Sequence, residues 1–139
     1  MTKSSAYDDH PGCAMQAAVS TIMGKWKGVI LFHLLEGTMR FNELARQMEG
    51  VTPRLLTKQL RELEADGLVI RTVYPVVPPK VEYSLTEEAK GLEPLLHGLS
   101  DWGERWMARR GIKTREQLKA EAKSTARGVQ RSAVSSIPA

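Results

Sequence analysis

Apolar residues recur along most of this chain at the spacing of a helix, and at the spacing of a strand in one place. Met15, Val19 and Ile22 predict a first helix over 14–23, broken by Gly24. The run "WKGVILFHLLE" at 26–36 is apolar on nearly all sides, as in a helix surrounded by others, and Gly37 supplies its stop. Phe41, Leu44 and Met48 predict a short helix over 42–48, with Asn42 as its N-cap. A turn of about three residues follows. Thr52 then caps a longer helix with Pro53 at its first position, where the missing N–H costs nothing. Leu56, Leu60 and Leu63 form its buried stripe, with Leu55 beside it, and Gly67 ends it. A short helix, a turn and a longer helix in series form a helix-turn-helix pattern.

The period then changes. In "TVYPVVPPKVEYSLT", Val81, Tyr83 and Leu85 alternate with Lys80, Glu82 and Ser84, as a strand with one buried face requires. Strands at 68–74 and 80–85 predict a hairpin. Pro75, Pro78 and Pro79 cannot donate to a ladder, so they belong to its loop. Proline stiffens that tip before any partner docks, which reduces the entropy lost on binding. The architecture expected is mainly α (α+β): a winged helix-turn-helix with a two-stranded β wing and terminal helices.

Thr86 caps a long final helix whose stripe is Leu92, Leu95, Leu96, Leu99, Trp102 and Trp106, with Pro94 as a kink or restart. That surface is too long for one small domain to cover, which predicts a homodimer built from the first helix and this stripe. "TREQLKAEAKS" from Thr114 has the form of a capping box and predicts one more short helix. The domain boundaries expected are a flexible lead-in over 1–12, the winged domain with its dimerisation helices over 13–108, and a short helix with a mobile tail over 109–139.

The outward face of the helix after Thr52 carries Arg54, Lys58 and Arg61 at i, i+4 and i+7, away from the leucines. Thr52 and Thr57 lie near its N-terminal edge. A helix entering a major groove reads bases with such residues and places its flanking cations on phosphates. Thr52, Arg54, Thr57 and Lys58 are the candidate groove residues; Arg61, with Arg71 and Lys80 at the wing base, is a candidate for the DNA backbone. The plainer alternative is a solvated face, and Glu62 and Glu64 dilute its charge. Composition permits the sharper reading: 26% charged residues, net charge +4 and a pI near 9.4 suit an anionic partner without requiring one.

Taken together, "IMGKWKGVILFHLLEG", "RFNELARQMEGVTPRLLTKQLRELEADGLVIRTVYPVVPPKVEYSLTEEAKGLEPLLHGLSDWG" and the preceding cysteine closely resemble the HxlR family of bacterial transcriptional regulators. The resemblance runs from Cys13 to Trp106. It implies a MarR-like winged-helix homodimer, held by its terminal helices on a near-palindromic double-stranded DNA operator, and acting as a repressor. Two positions depart from the family pattern: "CAM" lacks the proline that often follows the cysteine, and Val76 replaces a frequent acidic residue in the wing.

In several such proteins the corresponding cysteine senses electrophiles or oxidants. The resemblance makes Cys13 a redox-sensing candidate, and its position ahead of the first helix suits a thiolate. With one cysteine in the chain, oxidation gives a bridge to a second subunit, a mixed disulfide or a sulfenic acid. The alternative is an inert residue packed at the dimer interface.

Other chemistry has little support. His10, His33 and His97 are scattered without metal-ligand spacing, and no Ser/His/Asp set, phosphate loop or dinucleotide fingerprint occurs. No enzyme, cofactor or metal is expected. Trp26, Trp102 and Trp106 leave open a small-molecule effector pocket between helices, and a winged-helix protein-interaction module is a further alternative. No run approaches the ~18 apolar residues of a membrane span, no leader is evident, and a lone cysteine fits a reducing interior, so a cytoplasmic location is expected.

Overall fold

The computed structural model of the protein describes residues 12–135, so His10 and most of the expected lead-in lie outside it. The element order is α1 (Ala14–Ile22), α2 (Lys27–Leu34), β1 (Met39–Arg40), α3 (Phe41–Gln47), α4 (Pro53–Ala65), β2 (Val69–Tyr74), β3 (Lys80–Leu85), α5 (Glu87–Lys90), α6 (Glu93–Arg109) and α7 (Arg115–Ser135). The chain divides into two compact units, one ending at His97 and the other beginning at Gly98.

The core belongs to the first unit. Ile30, Leu31 and Leu34 of α2 meet Leu44 of α3 and Leu56, Leu60 and Leu63 of α4, with Met48 in the turn, and all are buried. The leucines of α4 recur every three or four residues, so one stripe of the helix is removed from water while the opposite face stays polar. Thr52 caps α4 as its sequence predicts: its hydroxyl oxygen accepts the Leu55 N–H at 3.1 Å, with Pro53 next in line. Asp66 closes the helix, and Gly67 turns the chain at φ +76°, a conformation that side chains disfavour.

The predicted hairpin forms, with Tyr74 opposite Lys80 and Val69 opposite Leu85. Tyr83 and Leu85 turn into the core with Val81 half-buried, which is the alternation that the sequence predicts. One correction concerns the sheet. It has three strands in the order β1-β3-β2, because Met39 and Arg40 pair with Tyr83 and Glu82. The wing itself remains two-stranded; the short β1 binds the inner edge of β3 and so joins the wing to the start of α3.

Other boundaries also move. α3 begins at Phe41 rather than Asn42, because the Glu43 carboxylate accepts the Arg40 N–H at 3.3 Å and makes Arg40 the capping position. The turn between α3 and α4 spans residues 48–52, two more than expected, with Gly50 at φ +91°. The expected long helix after Thr86 is two helices. α5 ends at Lys90, and α6 restarts at Glu93 with Pro94 in its first turn, where the ring is tolerated. Thr86 holds this junction. Its hydroxyl donates to the Gly67 carbonyl at 2.8 Å and accepts the Ala89 N–H at 3.1 Å, while its own N–H reaches the Leu68 carbonyl at 3.1 Å.

In the second unit, α7 is far longer than the short helix expected. It runs to Ser135 and takes in residues 128–135, expected as a mobile tail. Its start does follow the capping box: the Gln117 side chain accepts the Thr114 N–H at 2.8 Å, and the Thr114 hydroxyl accepts the Gln117 N–H at 3.2 Å.

Candidate nucleic-acid interface

The solvent face of α4 gathers the predicted cations. Arg54, Thr57, Lys58 and Arg61 line one shallow groove with Pro53, Glu62 and Phe41 of α3. Arg54, Lys58 and Arg61 are exposed, and among the described residues none of them forms a salt bridge. Glu62 lines the same groove, but its carboxylate is bound to the Lys27 ammonium of α2 at 2.9 Å. Of the two acidic residues that dilute this face in the sequence, Glu62 is therefore offset by a neighbouring helix. Thr52 and Thr57 both have local bonds. The first caps the helix, and the Thr57 hydroxyl donates to the Pro53 carbonyl at 2.8 Å, leaving its oxygen able to accept.

The wing residues stand apart from that groove. Arg71 lies opposite Tyr83 in the sheet, and its guanidinium meets the Glu64 carboxylate at 3.4 Å. Lys80 binds Glu82 at 2.9 Å and sits 4.9 Å above the centre of the Tyr74 ring, while the Tyr74 hydroxyl donates to Glu82 at 3.2 Å. The hydrogen bond from Lys80 holds the Glu82 carboxyl below its usual range, against some desolvation and with further help from the Lys80 charge, Tyr74 and Arg40. At the tip Val77 is 100% exposed. Residues of the loop face Arg40, Phe41 and Asn42 across a cleft of about 490 Å³.

That cleft reveals two polar residues that sequence reasoning did not select. Arg40 and Asn42 are exposed beside the wing loop, a placement that follows from β1 pairing with β3. No periodic pattern marks Arg40, because a two-residue strand is too short to alternate, and the sequence offers Asn42 only as a helix cap.

Cys13 is exposed and occupies the capping position before α1, where its carbonyl accepts the Gln16 and Ala17 N–H groups at 3.0 and 3.2 Å. Apolar side chains of two helices are also open to water. Met15 of α1 is 66% exposed, and Val19 and Met23 are exposed too. On α6, Leu95, Leu99, Trp102 and Trp106 recur at helical spacing and are exposed, with Trp102 at 58%.

The model of the HxlR-like helix-turn-helix family matches residues 21–111, which takes in α2 through α6. The chain belongs to the HxlR-like helix-turn-helix family. Among curated relatives, it is 51% identical over 102 residues to the HTH-type transcriptional regulator YdeP of Bacillus subtilis, covering 73% of this chain and 80% of YdeP. It is 50% identical to YybR of the same organism, over 73% of this chain and 82% of that one. Among solved structures, the redox regulator HypR in its oxidised form is 52% identical, with a TM-score of 0.65 over 67% of this chain and 96% of HypR. The reduced form of the transcriptional regulator YodB from B. subtilis is 31% identical, with a TM-score of 0.59 over 68% and 94% of the two chains.

This HxlR-like chain is accordingly a transcriptional regulator with a DNA-binding helix-turn-helix in a winged, MarR-like fold, and its family consists of regulators rather than enzymes. Among the described residues, no helix is long and apolar enough to cross a membrane and no group of His, Cys, Asp or Glu side chains is placed to hold a metal ion.

Proposed function

We propose that this HxlR-like regulator acts in the cytoplasm as a homodimeric repressor, with α4 reading a near-palindromic operator and the wing resting on the flanking backbone. The observation that carries the reading is the exposed row Arg54, Lys58 and Arg61, whose one acidic groove neighbour is bound to Lys27. Cations that form no salt bridge among the described residues are available to phosphates and base edges. The exposed apolar faces of α1 and α6 support the dimer, because large apolar side chains at regular spacing mark a surface that another chain covers. Two-fold symmetry then sets two copies of α4 about one DNA turn, ~34 Å, apart. The test is a mobility shift and footprint on promoter DNA from the gene's own genomic neighbourhood. Two protected half-sites centred ~10 base pairs apart and two chains per duplex are expected. A single half-site bound by one chain overturns the dimeric reading.

A second reading concerns the signal. Cys13 stands exposed next to the apolar face of α1, and the HypR and YodB structures to which this chain is similar are described by redox state. We infer that oxidation of Cys13, to a bridge between subunits, a mixed disulfide or a sulfenic acid, weakens operator binding. Diamide or a quinone should then lower the affinity of the unmodified protein by about 5–150-fold, the range of ordinary coupling energies. Cys13→Ser should bind as well as the reduced protein and not respond. Equal responses from both proteins would assign Cys13 a structural role.

A further inference from the structure

The helix α7 is left without work by the regulator reading. The family match stops at residue 111, and HypR, matched along 96% of its length, takes up only 67% of this chain. From Arg115 to Arg131 every side chain of α7 is exposed. Most helical stability in proteins comes from tertiary packing, which residues 115–131 do not show, so a partner surface would stabilise this helix.

Its charges are ordered. Lys119, Lys123, Arg127 and Arg131 follow one another at intervals of four residues. Each interval advances about 6 Å along the axis and turns ~40° around it, so the four cations form one gently winding row. Among the described residues none of the four is in a salt bridge. The acidic residues of α7 are two, Glu116 and Glu121, and Glu121 is held by Lys113 at 2.6 Å. Five basic against two acidic residues give this helix three of the four net positive charges of the whole chain. Its apolar side is thin by comparison: Leu118 and Val129 are separated by alanines and polar residues, too little for a coiled-coil seam with a second copy.

We propose that α7 is a second, sequence-independent DNA-binding element that holds duplex phosphates with Lys119, Lys123, Arg127 and Arg131. The inference rests on the regulator reading in one respect only, that DNA is the ligand. A row of mobile cations with no base-reading partner binds through counterion release, so it strengthens binding to every sequence alike.

The test measures the full-length protein on operator and on random duplex across a range of salt concentrations. Replacing the four cations with glutamine, itself a good helix former, should reduce the slope of log affinity against log salt by up to ~3.6 per subunit, at about 0.9 per contact. Affinity for random duplex should fall, and the operator-to-random ratio should stay unchanged. Four single glutamine substitutions, each expected to reduce the slope by about 0.9, keep the result independent of how well the quadruple variant folds. Wild-type slopes in all five variants overturn the proposal, and a loss of dimer in sedimentation at unchanged slope would assign the helix to a second copy instead. Absence of operator preference in the unmodified protein would sink the reading of α4 while leaving the effect of α7 measurable on random duplex.

Discussion

Leu60→Ala should lower the unfolding free energy of the protein by about 2–5 kcal/mol, measured by chemical denaturation. Leu60 is 1% exposed at the centre of α4, between Leu56 and Leu63 and within the cluster formed with Ile30, Leu31 and Leu44. Truncation removes the transfer free energy of the lost carbons and leaves a cavity that close-packed neighbours fill only in part. Alanine is the best helix former, so the loss cannot come from helix propensity. Small domains are stable by only about 5–15 kcal/mol, so this one change can remove a third or more of the total. Two residues earlier, Lys58→Ala should change stability by less than about 0.5 kcal/mol, because Lys58 is on the exposed face of the same helix. A Leu60→Ala protein as stable as the unmodified one would mean that α4 is not seated in the core as described.

The complementary result is expected on DNA. Arg54→Ala should cost about 1–3 kcal/mol of operator binding, roughly 5–150-fold, and relax preference at one operator position while leaving the fold intact. Arg54 lies in the first turn of α4, the end that a groove-entering helix directs at base edges. Lys58, one turn further along, shares the groove and should also contribute to operator affinity. Arg61, Arg71 and Lys80 should behave differently: each removal should weaken all sequences alike and reduce the salt slope by about 0.9. The Glu64 and Glu82 carboxylates already beside Arg71 and Lys80 must share those cations with phosphate, so Arg61 should show the fullest effect of the three. Binding of each variant to operator and to random duplex at several salt concentrations separates the two classes. Should Arg54→Ala and Lys58→Ala both retain full operator affinity, α4 is not the reading helix.

What the sequence made legible were features with local causes. Thr52 and Pro53 mark the start of α4 because capping and proline geometry act within one turn, and the leucine spacing fixes which face is buried. The alternation of Val81, Tyr83 and Leu85 likewise specifies which face of β3 is buried. Features that depend on distant partners were not legible. β1 exists because Met39 and Arg40 meet Tyr83 and Glu82, more than forty residues away. The neutralisation of Glu62 by Lys27 joins two helices in the same manner, and no spacing along the chain announces it. The length of α7 escaped for a different reason. Its alanines and long polar side chains favour a helix but provide no wide apolar stripe, so the periodic signal that marks buried helices is weak there.

The contacts of Thr86 have a mechanical consequence. One side chain and its amide fasten the exit of β3 to the carbonyls of Gly67 and Leu68, where the chain leaves α4. Both feet of the hairpin are thereby tied to the end of the groove-facing helix. These bonds resist a change in the angle between helix and hairpin. A signal that alters DNA affinity therefore has little purchase on the angle between them. In the proposed dimer, what it can change is the distance and tilt between the two copies, so a chemical event remote from the DNA would act as a change of calliper width.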